Sequence, residues 1–262
     1  MVNLATVQKA SLPKVSISIV SHFQCSLVEK LLGDIEKYCS DDFIEVVLTL
    51  NVYEETPFAE RDFSFSMKII CNTAPQGFAA NHNQAFAQIT GEYFCVMNPD
   101  IRFSRDPFPS LLECLKNPVV GVTAPLVLGE TGEIEDSARH FPTPLKLLCK
   151  AFGGCNGGDY VVRDENIFPD WVGGMFMLFP RDIFKQLGGF DQRYFLYYED
   201  VDLCARLRLL RYEVVLCPKA RVVHLAHRSS HRSFRYFRWH LNSLSRFFFS
   251  PVYWQLLSRK WL

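Results

Sequence analysis

The chain has 262 residues, of which 48% are hydrophobic and 14% are aromatic. This composition excludes an intrinsically disordered protein and allows one large domain or two small ones. The formal net charge is zero, from 28 basic and 28 acidic residues. No acidic residue follows Glu213, so an acidic body precedes a basic, aromatic tail.

Apolar runs alternate with helical patterns along the first half of the chain. Strands are predicted at residues 15–20, 45–50, 67–71 and 93–97, and helices at residues 26–38, 79–89 and 107–115. The alternation predicts an α/β fold with a mostly parallel central sheet flanked by helices. Ligands bind at the carboxyl edge of such sheets, which would carry Ser21, His22, Asn51, Asn72 and Asp100.

The second half of the chain is less regular. It contains predicted strands at residues 119–128, 212–217 and 220–225, an apolar segment at 171–179 broken by Gly173 and Gly174, and predicted helices at residues 181–187 and 200–210. Residues 130–170 are rich in glycine and proline, and we interpret them either as a substrate loop or lid or as an ordinary surface excursion. We predict one domain over residues 1–230 and a helical tail over residues 231–262.

Apolar residues recur at helical spacing in the tail, with basic residues off this stripe. The stripe consists of Phe234, Phe237, Leu241, Leu244 and Phe248. Such a helix either packs its Phe face on the body or lies on an anionic membrane surface, and the two are compatible if different faces are used. Nucleic-acid binding is not expected, because no nucleic-acid motif accompanies the basic residues.

The cysteines and the chain start indicate a cellular compartment. Nine cysteines are scattered without a CxxC pair, which favours free thiols in a reducing compartment over a zinc site. The N-terminus lacks a signal-peptide pattern, and no stretch reaches the roughly 18 apolar residues that span a bilayer. We expect a cytoplasmic protein, at most attached to a membrane surface.

Acidic and imidazole side chains lie at the ends of predicted elements. Asp100 follows a buried strand, Glu199 and Asp200 begin a helix, and His224 ends a strand. Each by itself has a structural explanation, as a helix cap, a partner of the helix dipole or a core histidine. Their combination instead suggests a divalent cation clamping a diphosphate and a second acidic cluster supplying a general base. That chemistry is group transfer from a nucleotide.

Several segments resemble family 2 glycosyltransferases of the GT-A fold, specifically the rhamnosyltransferase branch. The matching segments are VSISIVSH at 15–22, GFAANHN at 77–83, NPD at 98–100, DWVGG at 170–174, GFDQRYFLYYEDVDLCAR at 189–206, HLAH at 224–227 and FRWHL at 237–241. Together they span roughly residues 15 to 245. The GFD…EDVDL block is highly specific for the family, whereas NPD is common elsewhere.

The resemblance implies an inverting enzyme that moves L-rhamnose from dTDP-β-L-rhamnose to a GlcNAc-diphosphate-polyprenol acceptor. The product would carry an α-1,3 linkage, in the synthesis of O-antigen or another cell-surface polysaccharide at the cytoplasmic face of the inner membrane. Two alternatives stay open. One is the same fold using another nucleotide-sugar, such as a UDP-hexose or UDP-galactofuranose, and the other is a non-catalytic scaffold that binds sugar nucleotides.

The resemblance also implies roles for individual residues. Asp100 and His224 would hold Mg²⁺ or Mn²⁺, with Asn98 as a polar neighbour. Asp200 would be the general base, and Glu199 would compete for that role or orient an acceptor hydroxyl. The nucleotide-sugar would contact Ser21, His22, Asn51, Gly77 and Asn83. The sugar and acceptor cleft would be lined by Trp171, Gly173, Gly174, Arg228 and Arg232.

Some of these assignments have structural alternatives. Trp171 is also a candidate core residue, and Asn83 a candidate for a polar residue within a helix. The sequence departs from the family pattern at Asn51, where many relatives carry Asp, and this weakens the donor assignment. It departs again at Asn98, which replaces the first acid of an Asp-x-Asp motif and leaves fewer negative ligands for the metal.

Overall fold

The structure, a computed structural model, describes residues 15–39, 43–151, 158–225 and 234–259. Two predicted cleft residues, Arg228 and Arg232, lie outside these ranges, as does the predicted domain boundary after residue 230. The described elements form an eight-stranded central sheet, a small two-stranded sheet and the helices around them.

Four parallel strands build the N-terminal half of the central sheet. They are β1 (Val15–Ser21), β2 (Ile44–Leu50), β3 (Ser66–Cys71) and β4 (Tyr93–Met97), in the order β3-β2-β1-β4. The apolar runs of β1 and β2 are almost completely buried, as expected for a sheet covered on both faces. The mostly parallel sheet predicted from the sequence is confirmed.

An antiparallel strand divides the sheet into two halves. This strand, β9 (Phe176–Pro180), lies between β4 and β6 (Val120–Leu128) and is antiparallel to both. Beyond β6 lie β10 (Glu213–His224), which is parallel to β6, and the two-residue strand β5 (Ile101–Arg102) at the edge. Two separate strands were predicted where β10 lies. That prediction is wrong, because a register shift between Cys217 and Arg221 keeps the chain within the sheet.

The segment predicted to be irregular contains regular structure. Strand β7 (Ala138–Arg139) pairs with β8 (Trp171–Val172), and helix α4 (Pro144–Ala151) lies between them in the chain. The sequence analysis missed this helix because Pro144 suggested a loop. Proline is compatible with the first turn of a helix, where its missing N–H has no intrahelical partner.

Two apolar clusters pack on opposite faces of the central sheet. Helices α1 (Cys25–Tyr38) and α3 (Phe108–Leu115) contribute to the first cluster. Helices α2 (Phe78–Phe86), α5 (Arg181–Gln186) and α6 (Glu199–Leu209) contribute to the second. This arrangement leaves the carboxyl edge of the parallel strands to carry polar side chains.

Helix α7 (Phe234–Phe248) packs against the loop that precedes α6, and α8 (Pro251–Ser258) follows it. The Ser243 hydroxyl donates a hydrogen bond to the Leu196 carbonyl at 2.8 Å. The Trp239 and Phe195 rings lie 4.8 Å apart, and Phe247 is fully buried. The last part of the chain therefore supports the loop that leads into α6.

The predicted packing of the tail is correct only in its second half. Phe234, Phe237 and Leu241 are 75%, 57% and 45% exposed, whereas Phe248 is half-buried. The face that meets the body runs instead through Ser243 and Phe247. Among the residues that the structure describes, no helix is long and apolar enough to cross a bilayer.

Candidate active site

The carboxyl ends of four adjacent parallel strands carry a row of polar residues. Ser21 ends β1, while Asn51, Asn72 and Asp100 follow β2, β3 and β4. The Asn51 amide donates to the Ser21 carbonyl at 2.8 Å, and the Asn72 amide to the Leu50 carbonyl at 3.0 Å. The structure thus places these residues along one sheet edge, as the sequence analysis predicted.

Asp100 and His224 lie side by side, although 124 residues separate them in the sequence. The pairing of β5 with β10 sets His224 opposite Ile101, and the Leu225 amide donates to the Asp100 carbonyl at 2.8 Å. The His224 Nε2 atom is 3.3 Å from the Asp100 Oδ2 atom. Both side chains are mostly buried, with 14% and 15% of their surface exposed.

Glu135 is a second partner of His224 that the sequence analysis did not find. Its Oε2 atom is 2.9 Å from His224 Nδ1, on the side of the ring opposite to Asp100. Burial lowers the pKa of His224, but interactions with Asp100 and then with Glu135 outweigh burial and raise it to about 9. The two carboxylates therefore fix both the orientation and the charge of the ring.

The donor atoms at Asp100 and His224 fit a divalent cation. The Asp100 Oδ1 atom is buried and has no hydrogen-bond partner among the described residues. A carboxylate oxygen beside an imidazole nitrogen is a common donor pair for Mn²⁺ and related ions. Within the described ranges, no group of three or more His, Cys, Asp or Glu residues could hold a metal ion. The remaining ligands would have to come from a substrate or from water.

Two adjacent carboxylates begin helix α6. The Asp200 Oδ2 atom accepts a hydrogen bond from the Gly174 amide at 2.9 Å, and its Oδ1 atom accepts one from the Val201 amide at 2.8 Å. Burial raises the pKa of Asp200, and these backbone donors partly oppose the rise. Asp200 is thus a carboxylate held in place by backbone donors.

Glu199 is fully buried beside Asp200. Burial, and then the charge of Asp200, raise the pKa of Glu199 well above its ordinary value. Its Oε2 atom has no partner in the part of the chain that the structure describes. Because two backbone N–H groups stabilise the charged form of Asp200, whereas the Glu199 Oε2 atom has none, we expect Glu199 to hold a proton while Asp200 ionises.

The residues before α6 have an unusual backbone conformation. Tyr197 and Tyr198 have φ angles of 69° and 68°, in the left-handed region that non-glycine residues rarely adopt. Two consecutive residues of this kind cost of order 1–3 kcal/mol each and persist only where the surroundings hold them. Here the turn they form places Glu199 and Asp200 at the start of the helix.

One short segment connects Asp200 to the strand end that carries Asp100. The Asn98 amide donates to the Met175 carbonyl at 2.9 Å, and the neighbouring Gly174 amide donates to Asp200. Residues 174 and 175 therefore touch both the Asn98–Asp100 turn and the Asp200 carboxylate. Residues 174 and 175 thus connect the strand end that carries Asp100 with the acidic pair at the start of α6.

A cavity of about 550 Å³ opens at Asp200. Trp171 lines it, with the indole N–H donating to the His140 carbonyl at 3.0 Å and the Arg139 guanidinium 5.6 Å from the ring centre. Trp171 is half-buried: it lines the cavity and also packs against the second apolar cluster. The cavity is wide enough for a sugar ring and more.

The nucleotide end of the site holds a carboxylate that the sequence analysis overlooked. Glu54 accepts hydrogen bonds from the Ser21 hydroxyl and from the Gln24 and Cys25 amides at the start of α1. Burial alone would raise the pKa of Glu54, but these hydrogen bonds lower it. A helix N-terminus stabilises such a charge. Two consecutive acids at residues 54 and 55, shortly after β2, were the available signal.

Asn51 is buried in an amide network and is not open to a ligand on every side. Its Oδ1 atom accepts from the Gln76 amide at 2.7 Å and from Asn72 Nδ2 at 2.9 Å. Its Nδ2 atom is 3.0 Å from the Gln76 carbonyl and 3.3 Å from the exposed His22 ring. A neutral amide suits these neighbours because it must both donate and accept.

Two residues predicted to contact the nucleotide have contacts within the protein. A Cβ atom on Gly77 would lie 2.5 Å from the Phe195 carbonyl oxygen, so glycine is needed there for protein packing. The Asn83 amide donates to the Phe190 carbonyl at 2.8 Å and accepts from the Phe190 amide at 2.9 Å. Both ends of Asn83 thus fix the loop before α6, and the nucleotide contacts of Gly77 and Asn83 stay predictions.

The two glycines of the predicted cleft also have local roles. The Gly173 amide donates to the Ser137 carbonyl at 2.8 Å, which aligns β8 with the segment that carries Glu135. A Cβ atom on Gly174 would lie 3.2 Å from the Phe78 ring and 3.6 Å from Asp200 Oδ2. Gly174 therefore lies directly beside the acidic pair.

The sequence profile described as glycosyltransferase like family 2 matches residues 60–242. The match covers more than half of the chain, and the chain therefore belongs to this family of glycosyltransferases. Its sequence is similar to that of the rhamnosyltransferase WbbL of Escherichia coli (strain K12), with 29% identity over 256 residues, or 89% of this chain and 92% of WbbL. It is also similar to the N-acetylglucosaminyl-diphospho-decaprenol L-rhamnosyltransferase of Mycobacterium tuberculosis, with 28% identity over 180 residues, or 61% of this chain and 59% of that protein.

Solved structures confirm the GT-A fold. GalNAc-T7 with UDP, GalNAc and Mn²⁺ has a TM-score of 0.64 at 16% identity, over 82% of this chain and 43% of that one. The mannosyltransferase PcManGT from Pyrobaculum calidifontis, in complex with GDP-Man and Mn²⁺, has a TM-score of 0.63 at 19% identity, over 90% of this chain and 64% of that one. The chain thus spans less than two thirds of either structure.

Proposed function

We propose that the protein transfers L-rhamnose from dTDP-β-L-rhamnose to a GlcNAc-diphosphate-polyprenol acceptor, forming an α-1,3 linkage. The observation that carries a transfer mechanism is the contact of residues 174 and 175 with both the Asn98–Asp100 turn and Asp200. The names of the two related rhamnosyltransferases support the sugar and the lipid-linked acceptor. The product would enter O-antigen or another cell-surface polysaccharide.

Asp100 and His224 would hold Mg²⁺ or Mn²⁺. The unpartnered Asp100 Oδ1 atom and the adjacent imidazole supply two donors, and the donor diphosphate would supply others. When bound, the cation would stabilise the negative charge that builds on the departing dTDP. The imidazole donor and the Mn²⁺ of the two structural neighbours favour Mn²⁺ over Mg²⁺.

Asp200 is proposed as the general base. It would accept the proton of the acceptor hydroxyl while that oxygen bonds to the anomeric carbon of rhamnose. In the same step the bond from that carbon to the β-phosphate oxygen breaks, and the configuration inverts. A carboxylate whose pKa burial has raised is better matched to this task near neutral pH than an ordinary one. Glu199, which we expect to be protonated, would then donate a hydrogen bond to the acceptor.

Ser21, His22 and Asn51 line the edge where the base and ribose of the donor would lie, and Trp171 offers a ring face to the sugar. The neutral Asn51 leaves a second donor class open, namely a UDP-hexose or UDP-galactofuranose. The acceptor lipid would bring the enzyme to the cytoplasmic face of the inner membrane.

A transfer assay with dTDP-rhamnose and a lipid-diphosphate GlcNAc acceptor tests this proposal. Asp200→Asn should lower kcat by about 10²- to 10⁴-fold, the usual worth of a general base, while donor binding measured by calorimetry changes little. Glu199→Gln, a matched neutral substitution next to it, should keep much more activity. Full activity of Asp200→Asn, or turnover of UDP-sugars but not dTDP-rhamnose, would contradict the base or the donor.

EDTA provides a separate test of the cation. Transfer should stop with EDTA and return when Mn²⁺ is added in excess. Transfer that continues at full rate in EDTA would rule out the assignment of Asp100 and His224.

A further inference from the structure

The cavity at Asp200 has an apolar entrance formed by two helices. Pro142, Lys146 and Leu147 line one side, on α4 and the turn before it. Tyr236, Phe237 and His240 line the other side, on α7. The entrance therefore lies between a helix that the sequence analysis missed and the N-terminal half of α7.

Large apolar side chains are exposed on both helices. Leu145 and Leu148 of α4 are 72% and 56% exposed. Phe234, Phe237 and Leu241 of α7 are exposed as well, and Phe237 also lines the cavity. Phe237 thus joins the exposed apolar side chains of α7 to the cavity, and large exposed apolar patches mark binding sites.

Two basic side chains also line this cavity. Arg139 lies over the Trp171 ring, and its Nε atom is 3.0 Å from the Asp136 carboxylate. The Lys146 ammonium is 3.3 Å from the Asp159 carboxylate. Both cations are more than a third exposed, so they can contact an anion as well as their partners. No acidic residue lies on α7 or later in the chain.

The cavity thus contains the Asp200 carboxylate, the Trp171 ring and the cationic side chains of Arg139 and Lys146, with apolar side chains on α4 and α7 beside them. We infer that Arg139 and Lys146 bind the diphosphate of the acceptor, and that its polyprenol chain leaves between α4 and α7. The acceptor sugar would then lie on Trp171 with its hydroxyl at Asp200. This inference rests on the proposed function and adds to it the path of the lipid.

The substitution Lys146→Gln tests the predicted contact with the acceptor diphosphate. Lys146→Gln should raise KM for a GlcNAc-diphosphate-lipid by about 10-fold or more, the worth of one charge-assisted hydrogen bond. It should leave KM for an octyl-β-GlcNAc acceptor, which has no phosphate, within about 2-fold. Lys30→Gln, at an exposed position on α1, is the charge-matched control.

The double substitution Leu145→Ser with Leu148→Ser tests the exit. It should raise KM for a long-chain polyprenol-diphosphate GlcNAc by about 5- to 20-fold, because two apolar contacts are lost. KM for the same head group on a very short chain should not change. Val161→Ser is the control, because Val161 is 80% exposed and does not line the cavity.

The outcomes distinguish this inference from the proposed function. If the wild-type protein turns over neither acceptor, the proposed acceptor class itself fails. If the wild type is active and both substitutions affect all acceptors equally, or none, the lipid path is refuted. Weaker sedimentation of the leucine variant with anionic vesicles, without any dependence of KM on chain length, would instead make this rim a membrane-binding surface and overturn the inference.

Discussion

The contact between Glu135 and His224 leads us to predict a change in cation affinity when Glu135 is replaced. Glu135→Gln keeps the shape of the side chain but removes its charge. The Glu135 Oε2 atom accepts from His224 Nδ1 at 2.9 Å, which leaves Nε2 to face Asp100 and the cation. Partners of this kind typically contribute 10- to 100-fold to metal affinity, or about 1.4–2.7 kcal/mol.

The protonation of His224 acts in the opposite direction on cation affinity. With a pKa of about 9, His224 is protonated at pH 7 before a cation binds, and removing that proton costs roughly 3 kcal/mol. Glu135→Gln lowers this pKa and so reduces the cost. We therefore expect the variant to lose less affinity at pH 7, where the lower cost of deprotonation offsets part of the loss. At pH 9.5, where the wild-type ring is already neutral, it should lose the full 10-fold or more.

Calorimetric titration with Mn²⁺ in the presence of dTDP, at both pH values, measures this difference. Glu130→Gln is the matched control, because Glu130 is exposed on the same segment. Equal Mn²⁺ affinity of the wild type and Glu135→Gln at pH 9.5 would refute the role of Glu135 in orienting the ring.

Two further predictions concern stability. Without metal, the raised pKa of His224 means that its ion pairs stabilise the fold fully below about pH 6.5 and lose this effect as the pH rises through about 9. The Tm deficit of His224→Gln in EDTA should therefore be largest near pH 6 and shrink by pH 10; a deficit that grows with pH would contradict the assignment. Gly77→Ala should destabilise the fold and lower activity, because its Cβ would meet the Phe195 carbonyl. Gly33→Ala, at an exposed position on α1 where a Cβ meets nothing within 4 Å, should instead stabilise by about 0.5–1 kcal/mol; equal Tm shifts would show that the Phe195 contact is unimportant.

Much of the fold could be predicted because buried parallel strands have a clear local pattern. The apolar runs of β1, β2 and β4 stop at polar residues, and parallel strands bring those ends to one edge. The placement of Asp100 follows from this rule. Its proximity to His224 depends on β5, a two-residue strand that no local pattern reveals.

Other features depend on contacts between distant residues. Asn83 binds Phe190 across 107 positions, and the sequence around Asn83 carries no sign of that partner. Glu135 lies in a segment without clear periodicity, so its partner His224 could not be inferred. For α7, periodicity predicts a helix with an apolar stripe, but spacing does not tell which side meets the body. The C-terminal half of the stripe is partly buried against the body, whereas its N-terminal half is exposed.

The hydrogen bond from Ser243 to the Leu196 carbonyl, with the contact between the Trp239 and Phe195 rings, has a practical consequence for protein production. A chain shortened ahead of α7 to improve yield would keep the entire central sheet and every side chain assigned to chemistry. It would lose the α7 contacts that support the loop containing Tyr197 and Tyr198, and this loop places Glu199 and Asp200. Such a fragment should appear folded by circular dichroism but should lack transferase activity. The loss of activity would then be caused by the truncation and would not show that the full-length protein is inactive.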